Sequence, residues 1–351
     1  MDCVRRKKQD HLRRLRLKQL VDILFPPVAP DAVPYWRLVL RGCSQLCFQT
    51  NELTGLFFLA AVAVHSPIAA VYFLVAGLIA PAIFMFRNPN HEGVGAGLPG
   101  LNPSLVALSI ATFFDVGWTT FEMWGLLLAC VILTVIIVRI FLRILPFPFL
   151  ILPFLLVIWG LWELEPSLGF LRPASSAPVT TEAAFRPVTS VILSLGQGAL
   201  SPTIPSGVLF LCGVLLSNVR HAVIAMLGAA IGSLVAFYYH NVDPALVDQG
   251  LYGFNGVLAA VAAYVICGSK LRLAILGALL ATMLIPVVSS FGVPSLSAPF
   301  VVATWVLLIL GWLERIWFDP PDQMAAPPAS SPARVATAEP ATQPSHDNRG
   351  E

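Results

Sequence analysis

Four neutral amide side chains stand inside apolar stretches of this sequence and recur in pairs: Gln45 with Gln197, and Asn102 with Asn255. A carboxamide carries one carbonyl acceptor and two N–H donors and no charge. Left unpartnered in hydrocarbon it costs several kcal/mol, so such residues are kept where they bond a neighbouring helix or touch something polar that passes. Gln45, Gln197, Asn102 and Asn255 therefore read as lining or supporting a polar path, or as helix-to-helix glue. No nucleophile with its base, no paired carboxylates and no metal cluster accompany them. We therefore expect a protein that is not an enzyme, with no cofactor and no metal.

The amides belong to a duplication. GLPGLNPSL (97 to 105) and GLYGFNGVL (250 to 258) share five of nine residues at a separation of 153. Gln45 and Gln197 are each followed ten positions later by a Gly that opens an apolar run. PFLILPF (148 to 154) pairs with PSLSAPF (294 to 300). Three ordered pairs indicate two homologous halves. The prolines of the last pair leave carbonyls without N–H partners, which predicts rows of acceptors facing a pore, or helix kinks patched by neighbours.

The chain of 351 residues is 57% hydrophobic and 11% charged, against roughly a quarter charged in ordinary soluble domains. Its apolar runs approach the roughly 20 residues that cross a bilayer, which makes it a membrane protein. Eight of the 21 Lys and Arg precede residue 19, and we read residues 1–35 as a basic arm lying on anionic lipid, with no nucleic-acid partner. Residues 36–162 form the first membrane repeat, 163–188 a polar extracytoplasmic linker and 189–317 the second repeat. Residues 318–351 are a Pro- and Ala-rich tail that should be disordered.

Within each half we count five spans, about 53–65, 67–86, 97–114, 119–142 and 147–162, then 206–219, 221–239, 250–267, 271–289 and 294–313. Residues 43–52 and 195–205 are too short and broken to cross and read as re-entrant segments. The fold class expected is an all-α polytopic membrane protein, two inverted repeats of five transmembrane helices plus one re-entrant pore helix each. With the basic arm inside, the inside loops hold Arg87, Arg139, Arg143, Arg220, Lys270, Arg272 and Arg315, and the outside ones only Arg172 and Arg186. This satisfies the positive-inside rule and places both termini in the cytoplasm. Such repeats carry their solute path at the repeat interface.

No Asp, Glu, Lys or Arg falls clearly in the middle of a span, where ion-coupled carriers keep such groups; passive movement of a neutral solute follows. His65, His221 and His240 fall at span ends and read as loop or interfacial residues. The six Cys show no zinc or redox spacing and read as small core residues.

In this order, SQLCFQTNELTG, GLPGLNPSL, LPFPFLILPF, LGQGALSPTIPSG, GLYGFNGVL and VPSLSAPF resemble the urea transporter family over about residues 40 to 315. The resemblance, to the bacterial type of channel, implies facilitated and passive urea transport through one pore per subunit of a homotrimer, in a cell membrane, here a bacterial inner membrane. It implies a narrow slot with aromatic walls, rows of oxygen acceptors and two hydroxyls at the constriction. Gln45 and Gln197 match the paired pore glutamines, with Leu46 and Phe48 nearby. Phe254 matches a slot phenylalanine, Leu105 and Leu258 the apolar side walls, and Ser297 a constriction threonine. Four departures stand out: Leu101 where the partner phenylalanine is common, Ile151 where the other threonine is expected, Gly198 for a common Val, and the stretch Ser201 to Pro205. Urea or a related small neutral amide is the expected solute. The alternatives are an ammonia or water conduit and a non-transporting membrane scaffold. Ammonia conduits carry buried paired histidines and water conduits Asn-Pro-Ala repeats, and the sequence has neither.

Overall fold

The computed structural model describes residues 33–86, 91, 93–175 and 184–318. The basic arm before residue 33, Arg87, the middle of the linker and the tail after residue 318 lie outside the described residues. Among the described residues the chain is helical between turns, with a single isolated bridge pairing Phe114 with Pro173.

The first half comprises α1 (Tyr35–Ser44), a 3-10 turn (Gln45–Cys47), α2 (Glu52–His65), α3 (Pro67–Met85), α4 (Leu98–Phe113), α5 (Phe121–Ile144) and α6 (Leu152–Leu164). The second comprises α7 (Pro187–Gln197), α8 (Ile204–Ser217), α9 (Val219–Leu234, running into a π turn Val235–Tyr239), the short α10 (Pro244–Asp248), α11 (Gly253–Ile266), α12 (Leu271–Ser289) and α13 (Ala298–Phe318). The chain is an all-α polytopic membrane protein.

Local chemistry repeats with the helices. Asn51 caps α2 by accepting from Thr54 N–H, and Thr203 caps α8 by accepting from Ser206 N–H. Ser66 caps α3 and Asn218 caps α9 in the same way. Each cap contributes about 1 kcal/mol and fixes where its helix begins. The glycines ten residues after each glutamine also find their reason. A Cβ on Gly55 would fall on the Leu40 carbonyl, and one on Gly207 on the Ile192 carbonyl. Each half thus folds α1 or α7 directly onto the helix that follows. In the first half the two segments meet at a bend of 71°.

The bounds of the re-entrant segments and the place of Arg139 are corrected. The segments read as re-entrant, 43–52 and 195–205, belong to helices that begin about eight residues earlier, at Tyr35 and Pro187. The stretches read as broken are instead their ends and the turns after them. α1 buries Arg37 and pairs both Arg37 and Arg41 with Glu52. Among the described residues five helices are by length and composition apolar enough to cross on their own, or six if the bent pair counts as one. α4, α8 and α11 are shorter. α4 is buried at every residue from Pro99 to Ile110, and α11 from Gly253 to Ala263, so protein rather than lipid surrounds most of their length. Arg139 is not in a loop but in α5. Its Nη2 donates to the Ile83 and Phe84 carbonyls, both at 2.7 Å, at the end of α3.

Contacts across the halves are reciprocal. Thr54 Oγ1 donates to the Gly213 carbonyl and its repeat mate Ser206 Oγ to the Ala61 carbonyl, each at 2.7 Å. Between them Phe58 stacks on its own mate Phe210, with ring centroids 4.1 Å apart and planes within 4°. Early residues of α2 thus meet late residues of α8, and late meet early: the helices are antiparallel. A two-fold axis exchanging them is perpendicular to both, so for spanning helices it lies in the membrane plane. This is the geometry of an inverted repeat. Trp159 Nε1 donates to the Pro294 carbonyl and Trp305 Nε1 to the Pro148 carbonyl, both at 2.9 Å, closing the same symmetry at α6 and α13.

From Leu308 onward α13 belongs to a separate unit, described as far as Phe318. Within it Arg315 Nε donates to the Gly311 carbonyl at 3.3 Å.

Candidate functional site

The amides find their places first. Gln45, at the end of α1, donates from Nε2 to the Ala96 carbonyl at 2.8 Å and to Thr50 Oγ1 at 3.1 Å. Gln197, at the end of α7, donates from Nε2 to the Gln249 carbonyl at 3.3 Å. Both carbonyls directly precede a left-handed glycine, Gly97 (φ 80°) and Gly250 (φ 77°). A Cβ on either would meet the backbone of α1 or α7, and only glycine tolerates both the turn and the approach. Because a carbonyl can only accept, each amide must present its NH2 there. That leaves each Oε1 without a donor among the described residues.

Asn102 donates to the Leu150 carbonyl at 3.1 Å and accepts from Phe154 N–H at 3.1 Å. Asn255 donates to the Leu296 carbonyl at 3.0 Å and accepts from Phe300 N–H at 3.3 Å. Each asparagine thus clamps a bent entry to α6 or α13. Leu150 (φ 53°) and Leu296 (φ 43°) take left-handed backbone, which costs a non-glycine residue roughly 1–2 kcal/mol. Phe48 (φ 55°) and Leu200 (φ 49°) do the same after the re-entrant helices. Four strained apolar residues in two repeat-related pairs mark one locality, as strain does at functional sites.

Phe48 and Leu200, with the residues that follow Leu150 and Leu296, line a cavity of about 30 Å³. Its lining consists wholly of repeat mates: Gln45 with Gln197, Leu46 with Gly198, Phe48 with Leu200, and Leu101 with Phe254. Leu105 with Leu258, Ile151 with Ser297, and Phe154 with Phe300 complete it. A cavity lined by both members of every pair lies on the two-fold axis. All ten residues singled out as pore-lining from the sequence are brought together here, and Asn102 and Asn255 stand behind them.

Four lining residues carry signals the sequence reading left unused as wall positions. Phe154 and Phe300 close the matched Pro-Phe motifs one helical turn beyond Ile151 and Ser297, and both are buried. Phe48 and Phe300 meet edge to face at 6.3 Å, so aromatic groups from both halves meet at the cavity. Leu200 and Gly198 complete the set; a Cβ on Gly198 would press on the Phe210 ring at 3.1 Å.

The expected rows of free carbonyls take a different form. The Pro148 and Pro294 carbonyls accept from the tryptophans, and those of Leu150 and Leu296 from the asparagines. These groups hold the wall in shape. The open side-chain polar atoms of the lining are the two glutamine Oε1 atoms and Ser297 Oγ, which has no partner among the described residues. A second cavity of about 380 Å³ shares Gln45, Phe48 and Leu101 with the first and opens beside Gly93, Leu98 and Leu150. The small cavity thus lies at the end of a wider vestibule.

His221 departs from the loop reading. Its Nδ1 is 3.2 Å from Gln49 Oε1, while Gln49 Nε2 donates to the Cys47 carbonyl, so it ties α9 to the turn after α1. His65 is exposed, and His240 Nε2 lies 3.3 Å from the Thr282 carbonyl.

Comparison with known proteins bears on the whole of this region. The profile of the family described as Urea transporter matches residues 36–311, which is most of the chain. The chain belongs to the urea transporter family. It is 27% identical to Urea transporter 1 of Capra hircus, over 80% of this chain and 78% of the goat protein. It is 28% identical to Urea transporter 1 of Rattus norvegicus over 66% of this chain, an alignment that spans 64% of the rat protein, just under two thirds. All of α7, all but the first residue of α1, both Asn clamps and the axial cavity fall within the matched residues.

Proposed function

We propose that the chain is a passive conduit for urea, with the axial cavity as its selective constriction. The observation that carries this is the lining: seven repeat-related pairs with no charged side chain, in which two glutamine oxygens and one serine hydroxyl are the open side-chain polar groups. Urea is flat and neutral, with four N–H bonds to donate. The two Oε1 atoms and Ser297 Oγ accept such bonds. The rings of Phe48, Phe154, Phe254 and Phe300 offer faces and edges that suit a flat amide. Gln45 and Gln197 pass the solute between equivalent sites related by the axis. With no buried acid on the lining there is nothing to bind a coupling ion, so movement follows the gradient.

The proposal extends to the assembly. Residues 1–35 are the basic arm, 36–162 and 189–317 the repeats, 163–188 the extracytoplasmic linker and 318–351 the tail. The termini are cytoplasmic: Arg143, Arg220, Lys270 and Arg272 gather at one set of helix ends, and Asp115, Glu163, Asp243 and Asp248 at the other. The protein acts as a homotrimer in a bacterial inner membrane, surrounded by lipid.

Stopped-flow uptake into proteoliposomes tests the reading. Urea should enter faster than into protein-free vesicles, at the same rate with or without a proton or sodium gradient. Solute accumulation driven by either gradient would overturn the conduit. Leu101 and Ile151 favour a second reading, since they make one side of the constriction aliphatic. In that case acetamide or methylurea would enter faster than urea.

A further inference from the structure

Buried charge is costly in a membrane protein and is kept for a purpose. Arg37 and Glu52 are 4% and 5% exposed. Arg37 Nε and Arg41 Nε both donate to Glu52 Oε1, at 2.6 and 2.9 Å. Arg37, Arg41 and Gln45 follow at intervals of four along the re-entrant helix and so share one face. Of the two cations Arg41 lies nearer the pore amide, one turn away. Its Nη1 donates to the Gly95 carbonyl at 2.7 Å, one residue before the carbonyl that holds Gln45. The same loop supplies Gly93 and Leu98 to the vestibule wall.

Holding the bend does not require these charges. The repeat mates of Arg37, Arg41 and Glu52 are Thr189, Leu193 and Ile204, and the second half makes the same close approach at Gly207 without an ion pair. Arg37 has contacts besides Glu52, and the cation adjoining the pore amide is in any case Arg41.

We infer that Arg41, offset by Glu52, is a specificity-determining charge that turns cations away at the vestibule and so separates urea from guanidinium, its planar cationic isostere. This rests on the conduit reading and deepens it. A unit charge about 10 Å from a passing cation, at an effective dielectric of about 20, changes the cation's partitioning on the order of tenfold. Neutral urea is unaffected by the charge itself.

The test is the ratio of guanidinium to urea permeability in proteoliposomes, measured at one pH because His91 also lies on the vestibule wall. Arg41→Gln should raise the ratio on the order of tenfold, and Glu52→Gln should lower it. Arg41→Lys keeps the charge but not the forked geometry, and should stay near the wild-type ratio. The double change Arg41→Gln with Glu52→Gln restores the charge sum and should return toward it. Urea flux in the same vesicles reports the folded pore, so partial misfolding cancels in the ratio. A ratio unchanged across the series, or moving the same way in every variant, overturns the inference and leaves the triad a structural staple. Wild-type protein that passes no urea overturns the conduit reading and this inference with it.

Discussion

Replacing Asn102 with Ala should loosen the constriction without touching a lining side chain. The asparagine makes two bonds, to the Leu150 carbonyl and from Phe154 N–H, both 3.1 Å long. Phe154 lies in the first turn of α6, where backbone donors have no intrahelical partner; leaving it unpaired and buried costs about 1–3 kcal/mol, and the other bond is worth about 1 kcal/mol. Leu150 would then be free to leave its strained φ of 53°, recovering part of that loss and swinging its neighbour Ile151 out of the wall. The net loss of stability is therefore below the gross sum of about 2–4 kcal/mol. Where about 1.4 kcal/mol of that loss is carried into the permeation barrier by the displaced wall, urea flux per folded protein falls about tenfold. Asn102→Asp is the sharper probe. An ionised carboxylate still accepts from Phe154 N–H but places an acceptor against the Leu150 carbonyl, so it should do no better than Ala. Thermal unfolding in detergent and urea uptake per folded protein measure the two effects. Wild-type behaviour in Asn102→Ala would show that the clamp holds nothing, and wild-type behaviour in Asn102→Asp would refute the donated bond.

The other expected outcomes are separate tests of the same frame. Leu101→Phe with Ile151→Thr restores an aromatic face and a hydroxyl to the first half; a hydroxyl bond of about 1 kcal/mol should raise urea flux, or urea selectivity over methylurea, several-fold, and no change in either would remove both positions from the path. Trp159→Phe and Trp305→Phe each lose one indole bond of about 1 kcal/mol and should lower the unfolding temperature by similar amounts; a large effect from one alone would contradict their equivalence across the axis. A cysteine at Ser175 should react with an impermeant maleimide from outside intact cells and one at Ser269 only after permeabilisation; the reverse pattern would invert the topology.

The four amides were legible because a polar residue in an apolar run is conspicuous, and their duplication exposed the repeat. The antiparallel pairing of α2 with α8 agrees with the inverted halves expected from the sequence, while the side of the membrane proposed from charge is a separate matter for the labelling test. Phe154 and Phe300 were not, because a phenylalanine that faces a cavity has the same apolar neighbours in sequence as one that faces the core. Leu200 hid for another reason: its place depends on a left-handed turn that glycine or asparagine would have announced and leucine does not. The Arg37–Arg41–Glu52 group was not legible because the counterion stands eleven or more residues further along, across the bend.

Inverted repeats often serve carriers that rock one half against the other around a central site, so the fold alone does not separate a carrier from an open conduit. The cross-axis contacts do favour one of them. Rocking would have to slide α2 along α8, and that motion breaks Thr54 to Gly213, Ser206 to Ala61 and the Phe58–Phe210 stack together. The Trp159 and Trp305 bonds would break with them, because each binds one half's pore loop to a helix of the other. Contacts that fail together make a stiff joint, and here they surround the cavity on its own axis. The inexpensive way for a solute to cross such a structure is past fixed amides, with side chains yielding locally and the halves at rest. A double-mutant cycle on Trp159→Phe and Trp305→Phe would probe this. If the halves are locked, loss of both bonds should lower stability yet leave urea flux per folded protein close to wild type; a flux that rises steeply as the latches are removed would reveal a rocking step that they restrain.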